Sequence, residues 1–297
     1  MQSSNKALIV GTGFGKLYKS IYESIDWEVT TIDIADPEAD YTTIPHGKIW
    51  DTCHITTPNY THYDLADLCA NFSKIVFVEK PGVNSTGLWS QLLADHPNTR
   101  IMMTKNNQYR DNIPEMARAA NPKKGITRIN WINNDRVPNP GSWFTNKELA
   151  FGGVSRDLMP HLLSLYQMFD PDWRTTVPKW TKKEQRWQLK DLTGTDYGAV
   201  DYSGTYDVDD FCYIDFGDFQ LNANWRNMGE DSFVVLGEFL KDDIAVHTQN
   251  QSFQLGLCPE NAYREMIKTA LFEKTNDNFW QQQMEMDLWI HQVLDNL

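Results

Sequence analysis

Short apolar runs alternate with longer amphipathic segments through the first 120 residues of the chain. Nearly continuous aliphatic runs predict strands that are covered on both faces, at residues 6–10, 28–32, 52–56, 74–78 and 100–104. The segments between and after them repeat apolar residues at helical spacing, which predicts helices over residues 16–25, 62–71, 86–95 and 113–120. This alternation is typical of βαβ units around a parallel sheet.

The pattern changes to period two after residue 125 and keeps that period to about residue 246. Helical spacing returns at residues 157–168, 262–274 and 279–294. We therefore predict an α/β domain over residues 1–122 and an α+β domain with a large, mostly antiparallel open sheet over residues 123–297. No flexible linker separates them, which indicates a tight junction near residues 120–125.

The 297-residue chain has 27 Lys and Arg against 40 Asp and Glu, a formal net charge of −13, and 41% of its residues are hydrophobic. This composition is typical of a soluble globular protein, and the acidic balance disfavours nucleic acid because phosphates would be repelled. No apolar run approaches the ~18 residues of a membrane span, so we expect a cytoplasmic protein without a membrane partner. The four cysteines form no Cys-x-x-Cys pair and have no metal-ligand spacing, which predicts reduced thiols and no metal site.

A glycine-rich turn, Gly11-Thr12-Gly13-Phe14-Gly15, follows the first predicted strand and precedes the first predicted helix. Glycine permits a sharp turn and a close approach to a pyrophosphate, which would rest on the free N–H groups of the helix. Lys16 occupies the third position of G-x-G-x-x-G, where close helix packing usually requires Gly or Ala. The pattern predicts a Rossmann-type dinucleotide site; the alternative is a glycine turn that serves the fold only.

Asp33 ends the second predicted strand, about twenty residues further on, where a carboxylate can accept hydrogen bonds from the adenosine ribose. Its charge would repel a 2′-phosphate, and no arginine follows it nearby. NAD is therefore favoured over NADP. Lys16 leaves the alternative open, because a cation beside the loop could hold a phosphate of either cofactor.

Three further motifs follow in order. They are Thr57-Pro58-Asn59-Tyr60-Thr61-His62, then Glu79-Lys80-Pro81, and then the glycine-rich segment that runs from Gly152 to His161 and contains Asp157. With the glycine turn, they resemble the motifs of the glucose-fructose oxidoreductase / inositol dehydrogenase / MocA (Gfo/Idh/MocA) family. The resemblance implies a Rossmann domain followed by an open sheet whose face meets the cofactor and through which subunits often associate.

The resemblance also implies roles for individual side chains. Lys80 corresponds to the lysine that orients and polarises the reacting hydroxyl, His161 to the proton-transfer residue, and Asp157 to its partner or a substrate ligand. Pro81 corresponds to a proline that commonly follows a cis peptide bond beside the nicotinamide. The glycine turn and the resemblance together predict these cofactor-binding residues: Gly11, Thr12, Gly13, Phe14, Gly15, Asp33, Thr57, Pro58, Asn59, Glu79, Lys80 and Pro81.

The chemistry of the side chains agrees with hydride transfer. Oxidising a secondary alcohol requires a base for the hydroxyl proton, and a histidine with a reference pKa of about 6.5 suits this reaction and its reverse. A lysine supplies positive charge where alkoxide character develops. If Asp157 and His161 lie on one helix they share a face, and Pro160 requires that helix to begin near Asp157 or Leu158.

Other positions carry weaker signals. Tyr109 and Arg110 follow the fifth predicted strand, where such a sheet opens toward its ligand, so they are predicted substrate contacts. His54 and His62 are interpreted as structural. Three positions depart from the residues common in the family, which leaves the substrate identity open: Phe151, Met159 and Ser164.

The leading hypothesis is an NAD(P)-dependent oxidoreductase that transfers hydride between a nicotinamide and a secondary hydroxyl or ketone of a sugar, cyclitol or sugar derivative. The alternatives are a non-catalytic dinucleotide-binding sensor or scaffold, and an imine or enamine reductase, or a hydrolase using transient oxidation, at the same site. The presence of Lys80, Asp157 and His161 together favours catalysis. A homodimer or homotetramer is also predicted, because the open sheet has two faces and the single cofactor domain can cover only one of them; the aromatic residues of this sheet are Phe211, Tyr213, Phe219 and Trp225.

Overall fold

A computed structural model describes residues 5–45, 47–120, 127–134, 137–192, 199–227, 232–241, 244–273 and 276–297. The chain folds into two compact units, Met1–Thr104 with Tyr263–His291 and Lys105–Ala262 with Gln292–Leu297. This division differs from the predicted one at residue 122, because most of the C-terminal helical segment belongs to the first unit. Residues 121–126, with the predicted division and most of the predicted tight junction, lie outside the described residues.

The first unit contains a five-stranded parallel sheet in the order β2-β1-β3-β4-β5. The strands are β1 (Lys6–Val10), β2 (Glu28–Ile32), β3 (Trp50–Ile55), β4 (Ser73–Val78) and β5 (Arg100–Met103), and the helices between them are α1 (Gly15–Glu23), α2 (His62–Ala70) and α3 (Thr86–Asp95). The apolar runs fill the strands because the sheet is covered, and Ala7, Leu8 and Ile9 have no exposed surface. The predicted α/β architecture is confirmed.

The second unit contains a six-stranded sheet in the order β11-β10-β6-β9-β8-β7. Its strands are β6 (Thr127–Asn134), β7 (Trp180–Glu184), β8 (Phe211–Asp215), β9 (Phe219–Asn227), β10 (Ser232–Lys241) and β11 (Ile244–Gln254), and its helices are α4 (Ile113–Ala119), α5 (Lys147–Ala150), α6 (Val154–Asp157) and α7 (Met159–Phe169). β6 and β9 run parallel, while the other neighbouring strands are antiparallel. The predicted, mostly antiparallel sheet is therefore confirmed, with one parallel pair at its centre.

The helix predicted over residues 157–168 is divided in the structure. α6 ends at Asp157, and α7 begins at Met159 with Pro160 in its first turn, where the missing N–H of proline has no intrahelical partner to lose. Asp157 and His161 thus lie on two consecutive helices and do not share the face of a single helix.

α7 packs against one face of the second sheet. The Tyr166 ring meets the edge of Phe219, with ring centroids 5.1 Å apart, and Phe219 and Trp225 are 2% and 1% exposed. The alternation of β8 turns Phe211 and Tyr213, which are half-buried, to the opposite face. The four aromatic residues therefore lie on both faces of the sheet, and Phe219 and Trp225 are on the face that α6 and α7 contact.

The predicted oligomer can be tested on the opposite face of the second sheet. Trp180 is 54% exposed, and its ring lies 5.2 Å from that of Tyr213 across β7 and β8. We expect light scattering at micromolar concentration to give at least twice the 34.4 kDa chain mass, and Trp180→Glu with Tyr213→Glu to lower that mass. A monomer mass for the unsubstituted protein would contradict the prediction.

The C-terminal helices α8 (Glu260–Lys268) and α9 (Asp277–Asp295) complete the chain, with a π-helical turn at Thr269–Glu273 between them. The buried Asp287 carboxylate of α9 accepts a hydrogen bond from the Met103 N–H of β5 at 2.9 Å. Tyr263 of α8 contacts Phe14 and Tyr18 of the first helix edge-on. These interactions explain why residues 263–291 belong to the first unit. None of the helices in the described part of the chain is long and apolar enough to cross a membrane.

His54 of β3 is fully buried among aromatic rings, with ring centroids 3.9 Å from Tyr18 and 4.5 Å from Phe77. Neither of its nitrogens has a hydrogen-bond partner among the described residues, and burial lowers its pKa well below the usual value. As the pH falls below about 6.5, His54 is therefore protonated in the unfolded chain but not in the folded one. Because of this residue, the free energy of unfolding decreases by up to about 1.4 kcal/mol per pH unit.

We expect His54→Leu, which is nearly equal in volume, to remove this component. Urea denaturation at intervals between pH 5 and 7.5 measures the free energy of unfolding, and the variant should lose less stability on acidification than the unsubstituted protein. Equal slopes would show that His54 is protonated in the folded state.

Candidate functional site

The predicted cofactor residues of the first unit lie at one edge of its sheet. The glycine turn follows β1, Asp33 follows β2, the Thr57-Pro58-Asn59 loop follows β3, and the Glu79-Lys80-Pro81 turn follows β4. These four strands are neighbours, in the order β2-β1-β3-β4. Because the strands are parallel, their carboxyl ends meet, and the structure brings these segments together where α/β sheets bind ligands.

The three glycines of the turn differ in how close a Cβ at each position would come to other atoms of the protein. Gly11 has φ +94°, and a Cβ there would lie 2.9 Å from the Thr56 carbonyl carbon. At Gly15, a Cβ would lie 2.6 Å from Ile9 Cγ2, so Gly15 provides the close packing of helix and strand that the sequence pattern assigned to position 16. At Gly13 a Cβ would meet no atom of the described residues within 4 Å, apart from its own chain neighbours. The backbone of Gly13 is thus open to a ligand.

Asp33 lies beside this turn as an ionised acceptor. Its Oδ2 accepts hydrogen bonds from the Thr12 N–H at 2.8 Å and the Thr12 hydroxyl at 3.0 Å, and Oδ1 accepts from the Ala35 N–H. The bond from the Thr12 N–H is the main reason that the pKa of Asp33 is lowered. Asp36 accepts a hydrogen bond from the Thr12 hydroxyl at 2.6 Å and pairs with Lys16 at 3.7 Å. Two carboxylates therefore occupy this end of the site, and Lys16 is engaged by one of them.

The turn after β4 presents Lys80 at the sheet edge. The buried Glu79 carboxylate accepts hydrogen bonds from the Tyr18 hydroxyl and from the Lys80 N–H, and burial raises its pKa. Glu79 thus supports the turn from within the unit. The Lys80–Pro81 peptide bond is cis, as the resemblance implies, and the Lys80 side chain is half-buried.

In the second unit, the glycine-rich segment is held by the loop before β8. The Asp209 carboxylate accepts hydrogen bonds from the N–H groups of Gly153 at 3.2 Å and Ser155 at 2.7 Å, and from the Ser155 hydroxyl. A Cβ on Gly153 would lie 1.8 Å from the Asp209 carbonyl oxygen. Glycine is required here because the two backbones touch, and this contact sets where α6 begins.

The predicted catalytic residues of this unit are each fixed by an aromatic residue of the sheet. Asp157 Oδ2 accepts a hydrogen bond from Trp225 Nε1 at 3.1 Å. His161 is 8% exposed, and its ring centroid lies 5.2 Å from that of Trp131. Trp131 stacks on Phe233 at 4.2 Å, so a platform of rings lies beside His161.

A concave pocket lies beside this platform and is lined by residues of the sheet and of the segment that follows β11: Trp131, Ile132, Asn133, Ser232, Phe233, Gln254, Gly256 and Leu257. An aromatic surface with amide groups nearby suits a polar ligand that has an apolar face. The sequence alone does not show that Trp131 lies near His161, because this proximity depends on how α7 packs against β6.

Arg110 is 5% exposed and donates to protein oxygens from all three nitrogens. Nε bonds the Asn107 side chain at 2.7 Å, while Nη1 and Nη2 bond the carbonyls of Leu255 and Gly256 at 2.7 and 2.9 Å. The guanidinium therefore anchors the segment after β11, which lines the pocket. We interpret Arg110 as a support of the pocket rather than a direct substrate contact; Tyr109, half-buried beside it, stays a prediction.

No group of three or more His, Cys, Asp or Glu side chains suited to a metal ion is present among the described residues. Cys53, Cys69 and Cys212 are buried free thiols, and Cys258 is half-buried.

No protein-family model matches the chain. A curated protein from Amycolatopsis mediterranei (strain S699), described as a UDP-kanosamine synthase oxidoreductase subunit, is 30% identical over 180 residues. The matched region covers 54% of this chain and 50% of that protein, so it spans about half the length of the curated relative.

Solved structures resemble the chain over nearly its whole length. GenD2 from gentamicin A biosynthesis, in complex with NAD, is 18% identical with a TM-score of 0.70, covering 99% of this chain and 93% of that one. Levoglucosan dehydrogenase in complex with NADH and levoglucosan is 14% identical with a TM-score of 0.69, covering 99% and 98%. An NAD-binding oxidoreductase from Klebsiella pneumoniae is 14% identical with a TM-score of 0.70, covering 99% and 96%. At these identities, the likeness establishes the fold that the chain shares with these proteins.

Proposed function

We propose that the protein is an NAD-dependent oxidoreductase that transfers hydride between the nicotinamide and a secondary hydroxyl or ketone of a sugar, cyclitol or sugar derivative. The observation that carries the proposal is the convergence of the glycine turn, Asp33 and the Lys80 turn at the carboxyl edge of one parallel sheet. A sensor would need the glycine turn and Asp33 but not Lys80, which makes catalysis the better account.

The residues present fit a dinucleotide. The Gly13 backbone leaves open space above the turn, and the start of α1 offers N–H groups for a pyrophosphate. Asp33, held ionised by the Thr12 N–H, suits ribose hydroxyls as donors, and with Asp36 it would repel a 2′-phosphate. When bound, the nicotinamide supplies the hydride acceptor for oxidation and the hydride donor for reduction.

The chain's own side chains supply the proton chemistry. In oxidation, the substrate carbon loses hydride and its hydroxyl loses a proton, and His161 takes this proton as the general base; in reduction, it returns the proton. The Lys80 ammonium stabilises the negative charge that develops on the substrate oxygen. Asp157, held by Trp225, serves as the partner of His161 or as a hydrogen-bond acceptor for a substrate hydroxyl.

Three observations support the proposed substrate class. The curated relative is described as part of a UDP-kanosamine synthase, and levoglucosan dehydrogenase has been solved with levoglucosan and with L-sorbose. The aromatic platform of Trp131 and Phe233 suits the apolar face of a sugar ring.

Incubation with NAD and a panel of sugars, nucleotide sugars and inositols, monitored by nicotinamide absorbance, tests the proposal. NAD binding without turnover of any of these compounds would favour the sensor.

Asp33→Ala should weaken NAD binding by about tenfold or more, because hydrogen bonds to a charged acceptor contribute roughly 1.5–3 kcal/mol each. The unsubstituted protein should prefer NAD to NADP in calorimetric titration, and the variant should lose much of that preference. Asp95→Ala, an exposed carboxylate at the end of α3, serves as the control for loss of charge. A clear preference for NADP, or unchanged NAD affinity in Asp33→Ala, would contradict the assigned ribose contact.

A further inference from the structure

The turn that carries Lys80 is held by two histidines that the mechanism does not use. Pro81, Gly82 and Val83 are buried, and the Gly82 N–H donates to the Glu79 carbonyl at 3.0 Å to close the turn. The ammonium of a lysine lies at the end of a flexible four-carbon chain, and the region that it can reach is set by the position of the backbone that carries it.

His291 of α9 binds the end of this turn. Its Nδ1 lies 2.7 Å from the Asp287 carbonyl oxygen one turn earlier, so Nδ1 carries the proton and Nε2 is an acceptor. Nε2 accepts the Val83 N–H at 3.2 Å. The ring stacks on Trp89 with centroids 4.8 Å apart, which fixes its plane.

Gly82 is shaped to this ring. Its φ is +78°, and a Cβ there would lie 2.6 Å from His291 Nε2 and 2.7 Å from Cε1. The ring therefore occupies the space that a side chain at position 82 would take. This close fit indicates that the turn and the imidazole are packed as one unit, rather than meeting by chance at a surface.

His62, the first residue of α2, contacts the other side of the same glycine. Its Nδ1 lies 2.8 Å from the Gly82 carbonyl oxygen, and its Nε2 lies 2.8 Å from the Thr57 carbonyl oxygen. Burial lowers the pKa of His62, although both carbonyls raise it. The ring donates to one carbonyl when neutral and to both when protonated, and it links the Lys80 turn to the Thr57 loop.

We propose that His62 and His291, together called the histidine pair, are positioning residues that fix the Lys80 turn at the sheet edge. The consequence for turnover rests on the proposed function, whereas the hold on the turn does not. Together the pair binds a carbonyl and an N–H on successive residues, Gly82 and Val83, so losing either ring leaves a buried backbone group without its partner.

The test measures the turn directly. Hydrogen exchange of backbone amides is followed in the full chain for His291→Phe, which keeps a ring beside Trp89 but has no acceptor. We expect the Val83 amide to exchange at least tenfold faster, while amides of β1 exchange within threefold of the unsubstituted rate. The labelling rate of the Lys80 amine by an acylating reagent should also change at least threefold.

Three further variants make the result decisive. His291→Gln retains an acceptor and should restore slow Val83 exchange in part, and His62→Leu should also loosen the 79–83 segment. His54→Leu removes a buried histidine of the same sheet that has no hydrogen-bond partner in the part of the chain that the structure describes, and it should leave Val83 exchange unchanged. Unchanged Val83 exchange in His291→Phe, or an increase matched in β1 or in His54→Leu, would overturn the proposal.

Activity separates the positioning role from the function itself. On an identified substrate, His291→Phe should lower kcat about tenfold with the Kd for NAD within twofold. Faster Val83 exchange with unchanged kcat would overturn the positioning role. If the unsubstituted protein neither binds NAD nor turns over any substrate, the proposed function fails, while exchange and Lys80 labelling still decide whether the pair holds the turn.

Discussion

Lys80→Met and His161→Ala should each lower turnover by on the order of 10²-fold or more while the protein stays folded and NAD affinity is retained. Lys80→Met removes the charge that stabilises the developing alkoxide, and His161→Ala removes the group that takes the hydroxyl proton. Both residues act on the chemical step, so kcat should fall more than the Kd for NAD rises. Steady-state kinetics and calorimetric titration measure the two quantities separately.

The double variant tests whether the two residues serve one event. If they share one proton transfer, it should be little worse than the poorer single variant. Lys74→Met, on the strand β4 that precedes the Lys80 turn but exposed and paired with Asp51, and His96→Ala, a histidine paired with Asp67, are the matched controls and should keep near-normal turnover. Near-normal turnover in Lys80→Met or His161→Ala would refute the mechanism, and loss of NAD binding in both would place them in the cofactor pocket.

Gly153→Ala should destabilise the protein by at least about 2 kcal/mol, because a Cβ there would lie 1.8 Å from the Asp209 carbonyl oxygen and a backbone must move. The same shift would displace α6 and the Asp157 side chain at its end. Urea denaturation measures the loss, and turnover should fall together with it.

Gly13→Ala is the matched control, since a Cβ at that position lies within 4 Å of no atom in the described segments other than its chain neighbours. Its free energy of unfolding should change by less than about 1 kcal/mol, the helix or turn preference of one residue. If the two variants have the same free energy of unfolding, the contact with Asp209 is not the reason that position 153 requires glycine.

Local patterns predicted the first sheet well. The nine elements predicted up to residue 120 are all present, with ends that differ by two residues at most, because the central strands are mostly buried on both faces and each helix has one apolar side. The motifs also located the segments that meet at the carboxyl edge, since a parallel sheet brings every such end to one side.

Interactions between distant residues could not be predicted in this way. His291 showed no pattern in the sequence, yet it binds the Val83 N–H, 208 residues away along the chain. Asp209 lies in a loop without a motif, and its role follows from the packing of Gly153 against it. The division between α6 and α7 depends on one residue, and the burial of Phe219 and Trp225 depends on which face α7 covers.

The placement of residues 263–291 within the first unit has a consequence for synthesis. The strands of the parallel sheet are translated before residues 105–262, whereas Asp287 and His291, which bind the Met103 and Val83 N–H groups, are translated after them. More than 150 residues therefore separate the sheet from these partners in the order of synthesis. The Lys80 turn cannot reach its final packing until α9 has been made.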